Sequence, residues 1–341
     1  MTKFQVIDAD GHLTDKDNAI APYLDEPFRS RRRPFHIQDN WDRAMGGRLG
    51  TSAPDPETWI KALDKEGIDV AVLYPTAALG IGAVREPDFA AALCRAYNDF
   101  VYDRFMKQSD RLKGVAIVPF QNVPEAVKEV RRAVTKLGMV GVMLPAVGLR
   151  LPLGRQEYWP IYEEAEKDNV AVAVHAGPRS ASQFGLDLFD RFIEVHTICH
   201  PFGQMAQLTS IFCNGVPEKF PRLRIAFLEA GCGWVPYWME RLDEEYEKRA
   251  EEVPLLKTKP SEYMRSGRIF YSFEPEEGTL PYVIDRMGEN VLLYASDFPH
   301  WDSGYPYTVK IVVERQDISE GQKKKLLAGN ARRFYNLAGP V

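Results

Sequence analysis

Four side chains that bind metal ions well stand where short apolar runs of the sequence end: Asp10, His12, His175 and Asp297. Asp10 and His12 are two residues apart, and side chains at that spacing point to the same face of an extended segment. Two imidazole nitrogens and two carboxylate oxygens form a mixed shell that suits zinc, and also manganese or iron. We therefore expect one divalent ion here, Zn²⁺ in the first place and Mn²⁺ or Fe²⁺ as alternatives.

Asp297 is the residue that we expect to transfer protons in this predicted site. A bound divalent ion activates a water molecule or polarises a substrate oxygen. Asp297 can contact the ion and also act as general base and later as acid. Taken singly, His175 also fits a hydrogen-bonded core histidine, and Asp297 also fits the cap of a turn. Because all four residues stand at predicted strand ends, a catalytic metal site is favoured over these structural explanations.

Eight short apolar runs alternate with helical patterns along the chain. They cover residues 5–9, 68–74, 113–118, 140–144, 170–174, 224–228, 268–272 and 291–295. Continuous apolar strands of this length are typical of a parallel sheet that helices cover on both faces. Eight of them predict an α/β fold of the (β/α)8 TIM barrel type, with residues 1–341 as a single domain. A doubly wound sheet is the alternative, but the glycine-rich run at 46–50 does not follow a strand, as a phosphate loop would.

Two connections between predicted strands are long. Residues 11–67 separate the first two strands, and residues 177–223 separate the fifth and sixth. Both connections leave the carboxyl end of a strand, which is the catalytic face of such barrels. Long loops in compact domains usually carry function. We therefore expect long insertions after strands 1 and 5 beside the site.

The composition argues against a nucleic-acid or membrane partner. The chain has 341 residues, of which 45% are hydrophobic, and its net charge is −5. That charge does not attract nucleic acid or anionic membranes, and no apolar run reaches the roughly 18 residues of a membrane span. The four cysteines form no CxxC pair, and the N-terminus does not resemble a signal peptide. We expect a cytoplasmic protein that acts on a small molecule.

Further candidate residues lie around the same predicted rim. Glu229 ends the sixth strand and His200 lies in the loop before it, so both are catalytic candidates beside Asp297. Arg179 follows the fifth strand and is placed to bind a carboxylate through two hydrogen bonds. His200 equally fits a structural histidine at a helix start, and Arg179 a surface arginine. The other substrate-binding candidates are Trp59, Tyr74, Phe273, Glu274, Trp234 and His300.

Several motifs together resemble the amidohydrolase superfamily, in the branch that includes aminocarboxymuconate-semialdehyde decarboxylase and related aromatic-acid decarboxylases. They are VIDADGH at 6–12, VHAG at 174–177, GVPEKFPRLRIAFLEAGCGW at 215–234, YASDFPHWD at 294–302 and GNARRFYNL at 329–337. The resemblance extends over essentially the whole chain. It implies that His12, His175 and Asp297 bind the metal. Asp10 stands where the family usually has histidine or glutamate, and Glu229 where it usually has a histidine that contacts the substrate or the metal's water.

The residues and the resemblance together predict a metal-dependent hydrolase that acts on a small carboxylated, cyclic or aromatic compound through a metal-activated water. A non-oxidative decarboxylase of an aromatic or unsaturated acid is the alternative within enzymes. A non-catalytic metal-binding barrel is the alternative from another class of protein. The resemblance also implies a homodimer or a higher homo-oligomer.

Overall fold

The strands of the computed structural model, which describes residues 5–31, 53–177 and 188–338, form one eight-stranded sheet. Neighbouring strands pair in sequence order, and every pairing is parallel. The predicted (β/α)8 TIM barrel is thereby confirmed. The strands are β1 (Ile7–Leu13), β2 (Val70–Pro75), β3 (Leu112–Ile117), β4 (Gly141–Pro145), β5 (Ala171–His175), β6 (Ile225–Leu228), β7 (Ile269–Phe273) and β8 (Leu292–Tyr294).

Helices connect the strands and cover the outside of the sheet. The helix at Pro56–Glu66 shows how the sequence sets their boundaries: the Asp55 side chain accepts a hydrogen bond from the backbone of Thr58, and Gly67 ends the helix at φ 76°. None of the helices in the described ranges is long and apolar enough to cross a membrane. The helices are α1 (Asp17–Ile20), α2 (Pro56–Glu66), α3 (Pro87–Val101), α4 (Val123–Leu137), α5 (Trp159–Lys167), α6 (Phe192–Cys213), α7 (Val216–Lys219), α8 (Val235–Arg249), α9 (Pro260–Met264), α10 (Leu280–Met287), α11 (Thr308–Glu314), α12 (Glu320–Lys324) and α13 (Asn330–Tyr335).

The strands are buried on both faces, which explains why they are apolar throughout. Every residue of β4, β5 and β7 is buried. Inside the barrel, the hydroxyl of Tyr74 lies 2.6 Å from the hydroxyl of Tyr335, which donates to the carbonyl of Ala9 at 2.6 Å. Since Tyr335 belongs to α13, this chain of hydrogen bonds ties the C-terminal helix to β1 and β2.

Helix α6 fills much of the long connection between β5 and β6. It has 22 residues and continues through Pro201. The side-chain amide of Gln204 donates to the carbonyls of Val174 and Leu228, and that of Gln207 donates to the carbonyl of Ala146. These contacts fasten α6 across the carboxyl ends of β4, β5 and β6. The sequence predicted a loop around His200, whereas the structure places this residue on α6, which the buried amide contacts hold against the barrel.

The barrel closes between β8 and β1 at the same end. The backbone N–H of Asp297 donates to the carbonyl of Asp10 at 3.0 Å, and that of His12 donates to the carbonyl of Phe298 at 2.7 Å. The register of β1 against β2 shifts between Asp8 and Gly11. Such a bulge bends a strand and redirects the side chains that follow it. Here it lies directly beside Asp10 and His12.

Candidate metal centre

The ends of β1, β5 and β8 bring four donor atoms close together. Nε2 of His175 lies 3.1 Å from Oδ1 of Asp10. Nε2 of His12 lies 3.6 Å from that oxygen and 3.4 Å from Oδ1 of Asp297. Donor atoms about 2.1 Å from one ion, at tetrahedral angles, are roughly 3.4 Å apart. These separations suit a divalent ion bound by Asp10, His12 and His175, whose ligand atoms all lie within 4.8 Å of one another. Asp297 belongs to a second group of the same kind, with His12, Glu229 and His300, so His12 is common to both groups.

His12 supplies an independent test of whether a metal fits. Its Nδ1 lies 2.8 Å from the carbonyl of Pro75, so this nitrogen donates the hydrogen and Nε2 keeps a lone pair. Nε2 is buried and has no hydrogen-bond partner among the described residues. Leaving a buried polar atom unpaired costs about 1–3 kcal/mol, which a bound ion would offset. The residues of this site therefore fit a divalent metal ion.

The electrostatics of the site keep His12 in the form that binds metals. Burial, followed by repulsion from His300 and His175, holds the pKa of His12 well below its usual value. The imidazole is therefore neutral at physiological pH, as a metal ligand must be. Burial also raises the pKa of Asp10, an effect that the neighbouring His175 opposes.

Two carboxylates of the site have unusual backbone conformations. Asp297 has a φ of 53° and Glu229 a φ of 59°. Residues other than glycine rarely occupy this left-handed region, and each such residue costs on the order of 1–3 kcal/mol. Strain of this kind persists where the surrounding structure enforces it, which is characteristic of functional sites.

His300 orients Asp297. Its Nδ1 lies 2.7 Å from Oδ1 of Asp297, and its Nε2 lies 3.1 Å from the hydroxyl of Thr76. The ring also stacks on His12, with 4.0 Å between the ring centroids. Burial raises the pKa of Asp297 to about 7, although the imidazole of His300 opposes this rise. A carboxyl group with such a pKa can both accept and donate a proton near neutrality.

Glu229 lies among three imidazoles. Its Oε2 is 3.1 Å from Nδ1 of His175 and 3.8 Å from Nε2 of His200, and its Oε1 is 3.5 Å from Nδ1 of His300. Burial alone would raise the pKa of Glu229, but these imidazoles hold it well below its usual value. Glu229 is therefore an ionised carboxylate in the site. The imidazole of His200 reaches it from α6.

A cavity of about 630 Å³ opens at this end of the barrel. Its wall is rich in carboxylates and imidazoles. At its mouth, His196 stacks on Phe192 and lies 5.6 Å from the ring of Trp301, measured between centroids. The lining includes the predicted catalytic residues and one predicted substrate-binding residue: Asp297, His200, Glu229 and Glu274.

Several predicted substrate-binding residues need correction. Trp59, Tyr74 and Phe273 are at most 1% exposed and belong to the core rather than to the cavity wall. Tyr74 and Phe273 lie near strand ends, where an aromatic side chain can point inward as easily as toward the pocket. Trp59 lies on α2 and packs edge-on against Phe298. Trp234 lies outside the cavity lining and donates from Nε1 to the carbonyl of Gly231. Arg179 lies outside the described residues.

Sequence reasoning missed two residues that support the site. Asp8 lies two positions before Asp10 and is fully buried. It accepts hydrogen bonds from the backbone and the hydroxyl of Ser296, which directly precedes Asp297. The alternating pattern Asp-x-Asp-x-His contained this signal, because its three polar residues share one face of an extended strand.

Comparisons with known proteins give a consistent result. The Amidohydrolase family model matches residues 7–337. The chain is similar to a 2-amino-3-carboxymuconate-6-semialdehyde decarboxylase from Dictyostelium discoideum, at 25% identity over 83% of this chain and 77% of that protein. It is also similar to a gamma-resorcylate decarboxylase from Polaromonas sp. (strain JS666), at 26% identity over 82% of this chain and 86% of that protein. A 5-carboxyvanillate decarboxylase from Novosphingobium aromaticivorans, solved with manganese and 4-hydroxy-3-methoxy-5-nitrobenzoic acid, shares its fold, with a TM-score of 0.75 at 21% identity over 98% of this chain and 97% of that one.

Proposed function

The chain belongs to the Amidohydrolase family, and we propose that it is a metal-dependent, non-oxidative decarboxylase of a small aromatic or unsaturated acid. The sequence favoured hydrolysis and kept decarboxylation as the alternative. The two curated relatives named above support that alternative. Both are decarboxylases, and the similarity covers most of the length of each. The observation that carries the proposal is the position of Asp297, whose Oδ1 lies 3.4 Å from Nε2 of His12 and 2.7 Å from Nδ1 of His300.

Asp10, His12, His175 and Asp297 would hold the metal ion. When bound, a divalent ion supplies a Lewis acid for the substrate's carboxylate and neighbouring oxygen atoms. We expect Mn²⁺ to serve as well as Zn²⁺, because a shell rich in carboxylates accepts harder ions. The manganese in the solved 5-carboxyvanillate decarboxylase supports this expectation.

Asp297 delivers the proton in the proposed reaction. Its protonated carboxyl group gives the proton to the ring carbon that bears the substrate's carboxylate. The bond between that carbon and the carboxylate then breaks, its electron pair restores the aromatic ring, and CO₂ leaves. Nδ1 of His300, at 2.7 Å, orients Asp297 toward the substrate. Water in the open cavity returns a proton to Asp297 after product release.

Glu229 and His200 divide the role that the family usually gives to one histidine. An ionised Glu229 repels a substrate carboxylate, so it does not donate a hydrogen bond to it. His200 lies 3.8 Å from Glu229 and lines the cavity, and therefore provides the imidazole that contacts the substrate. Arg179, which follows β5 in the sequence, remains the proposed partner of an anionic substrate group.

Isotope incorporation distinguishes this reaction from hydrolysis. The protein, loaded with Mn²⁺ or Zn²⁺, is incubated with a panel of ortho-hydroxylated aromatic acids, once in D₂O and once in H₂¹⁸O. We expect CO₂ release with one deuterium at the vacated ring carbon, and no ¹⁸O in the organic product. An organic product that contains ¹⁸O, formed without CO₂, would instead establish a hydrolase.

A further inference from the structure

We infer that Asp8 is a positioning residue that joins β1 to β8 and thereby sets the distance between the metal donors Asp10 and Asp297. The inference rests on the proposed metal site. It assigns to Asp8 no contact with substrate or metal. Its effect is on where the donors lie.

Three hydrogen bonds carry the inference. Oδ1 of Asp8 accepts from the backbone N–H of Asp10 at 3.2 Å and from that of Ser296 at 2.9 Å. Oδ2 accepts from the hydroxyl of Ser296 at 2.6 Å. One buried carboxylate therefore contacts the backbone of Asp10 on β1 and also Ser296, which follows β8 and directly precedes Asp297.

Ser296 extends this network to the backbone around Asp297. Its hydroxyl accepts from the backbone N–H of Phe298 at 3.1 Å, and its carbonyl accepts from the hydroxyl of Ser303 at 2.7 Å. The peptide group that follows Asp297 is thus linked to Asp8 through the Ser296 hydroxyl. The peptide group that precedes Asp297 is held by Ser303 and by the carbonyl of Asp10. This anchoring explains how Asp297 keeps its left-handed backbone conformation.

The bulge in β1 makes this side-chain link necessary. Between Asp8 and Gly11, the strand changes register against β2. A strand that bulges cannot form an even hydrogen-bond ladder, and some of its backbone groups need other partners. The N–H of Asp10 finds its partner in the Asp8 carboxylate. The hydrogen bonds of the Asp8 side chain therefore take the place of regular strand-to-strand hydrogen bonds beside the metal donors Asp10 and Asp297.

Removing this carboxylate should separate Asp10 from Asp297. Asp8→Ala leaves the buried N–H groups of Asp10 and Ser296 without an acceptor, and the two strand ends can then move apart. Loss of a residue that orients metal ligands typically weakens metal binding by about 10–100-fold. Asp8→Asn keeps the oxygen that accepts from both N–H groups, so it should bind metal within about threefold of the wild type, well inside the loss expected for Asp8→Ala.

A matched control separates positioning from general stability. Asn98 is also fully buried and also makes three hydrogen bonds: two with the backbone of Ile117 and one with Glu129. It lies on α3, and none of its partners is a donor of the metal site. Asn98→Ala should therefore lower the melting temperature without changing the metal affinity.

The experiment measures the dissociation constant for Mn²⁺ by competition with a chromophoric chelator, together with the melting temperature of each metal-free protein. Both alanine variants should melt earlier, but the dissociation constant should rise in Asp8→Ala alone and return toward normal in Asp8→Asn. If Asp8→Ala does not fold, Ser296→Ala removes one of the three hydrogen bonds and should weaken metal binding to a smaller extent. Unchanged affinity in the folded variant, or an equal loss in Asn98→Ala, would overturn the inference. Failure of the wild type to bind Mn²⁺ would overturn both the inference and the proposed metal site.

Discussion

Gly11 separates two metal donors, and the structure leaves no room for a side chain there. A β-carbon at this position would lie 2.6 Å from Cη2 of Trp59 and 2.9 Å from Oδ2 of Asp8. Ordinary van der Waals contact begins near 3.4 Å. Trp59 is 1% exposed and packs edge-on against Phe298, with 4.9 Å between the ring centroids, so its ring has little space to retreat. Gly11→Ala should therefore strain both β1 and its packing against α2.

The expected loss of stability follows from two opposing effects. Overpacking a well-packed core costs about 1–3 kcal/mol. Alanine also restricts the unfolded chain, which offsets about 0.4–1 kcal/mol of that loss. The net decrease in the free energy of unfolding should be about 1–2 kcal/mol, measured by urea denaturation of the metal-free protein.

Two variants make this prediction decisive. Gly278→Ala is the control, because a β-carbon there meets nothing within 4 Å, and it should be neutral or slightly stabilising. Trp59→Phe removes the ring edge that clashes with the new β-carbon. The double variant with Gly11→Ala should therefore lose less stability than the sum of the losses in the two single variants. Wild-type stability of Gly11→Ala, or strictly additive losses in the double variant, would refute the steric reasoning.

Three further predictions concern the site itself. Asp297→Asn should lower kcat by at least about 10²-fold while the circular dichroism spectrum stays unchanged, and a fully active variant would remove Asp297 from its proposed role. Adding Mn²⁺ or Zn²⁺ to the metal-free protein at about 100 times the dissociation constant should stabilise it by about 2.7 kcal/mol, whereas equal stability with and without the ion would argue against binding. Gln204→Leu removes the buried amide that donates to the carbonyls of Val174 and Leu228, so it should cost about 1–3 kcal/mol and reduce kcat through His200; a variant with normal stability and turnover would show that α6 is held by other contacts.

The strand ends of the site could be predicted from sequence, and the physical reason is simple. Asp10, His175 and Asp297 each follow a continuous apolar run, and such runs identify strands that are buried on both faces. Parallel strands in a barrel deliver their ends to one rim. The pattern therefore specified both the fold and the neighbours of these residues, although they are far apart in the chain.

The rest of the pocket depends on packing that the sequence does not display. Pro201 marks a helix break in ordinary sequence reasoning, yet α6 continues through it and carries His200 to the site. Tyr74 looked like part of a pocket wall, but its hydroxyl points to Tyr335, a partner 261 residues away. Which way a side chain near a strand end points is decided by such distant contacts, and these cannot be inferred from local pattern.

The central claim is that Asp10, His12, His175 and Asp297 together hold one divalent ion. Diffraction data collected above and below the absorption edge of manganese, from crystals of protein incubated with Mn²⁺, test this claim most directly. The account predicts one strong anomalous peak per chain, within coordination distance of all four side chains. The absence of such a peak, or a peak away from His12 and Asp297, would contradict it.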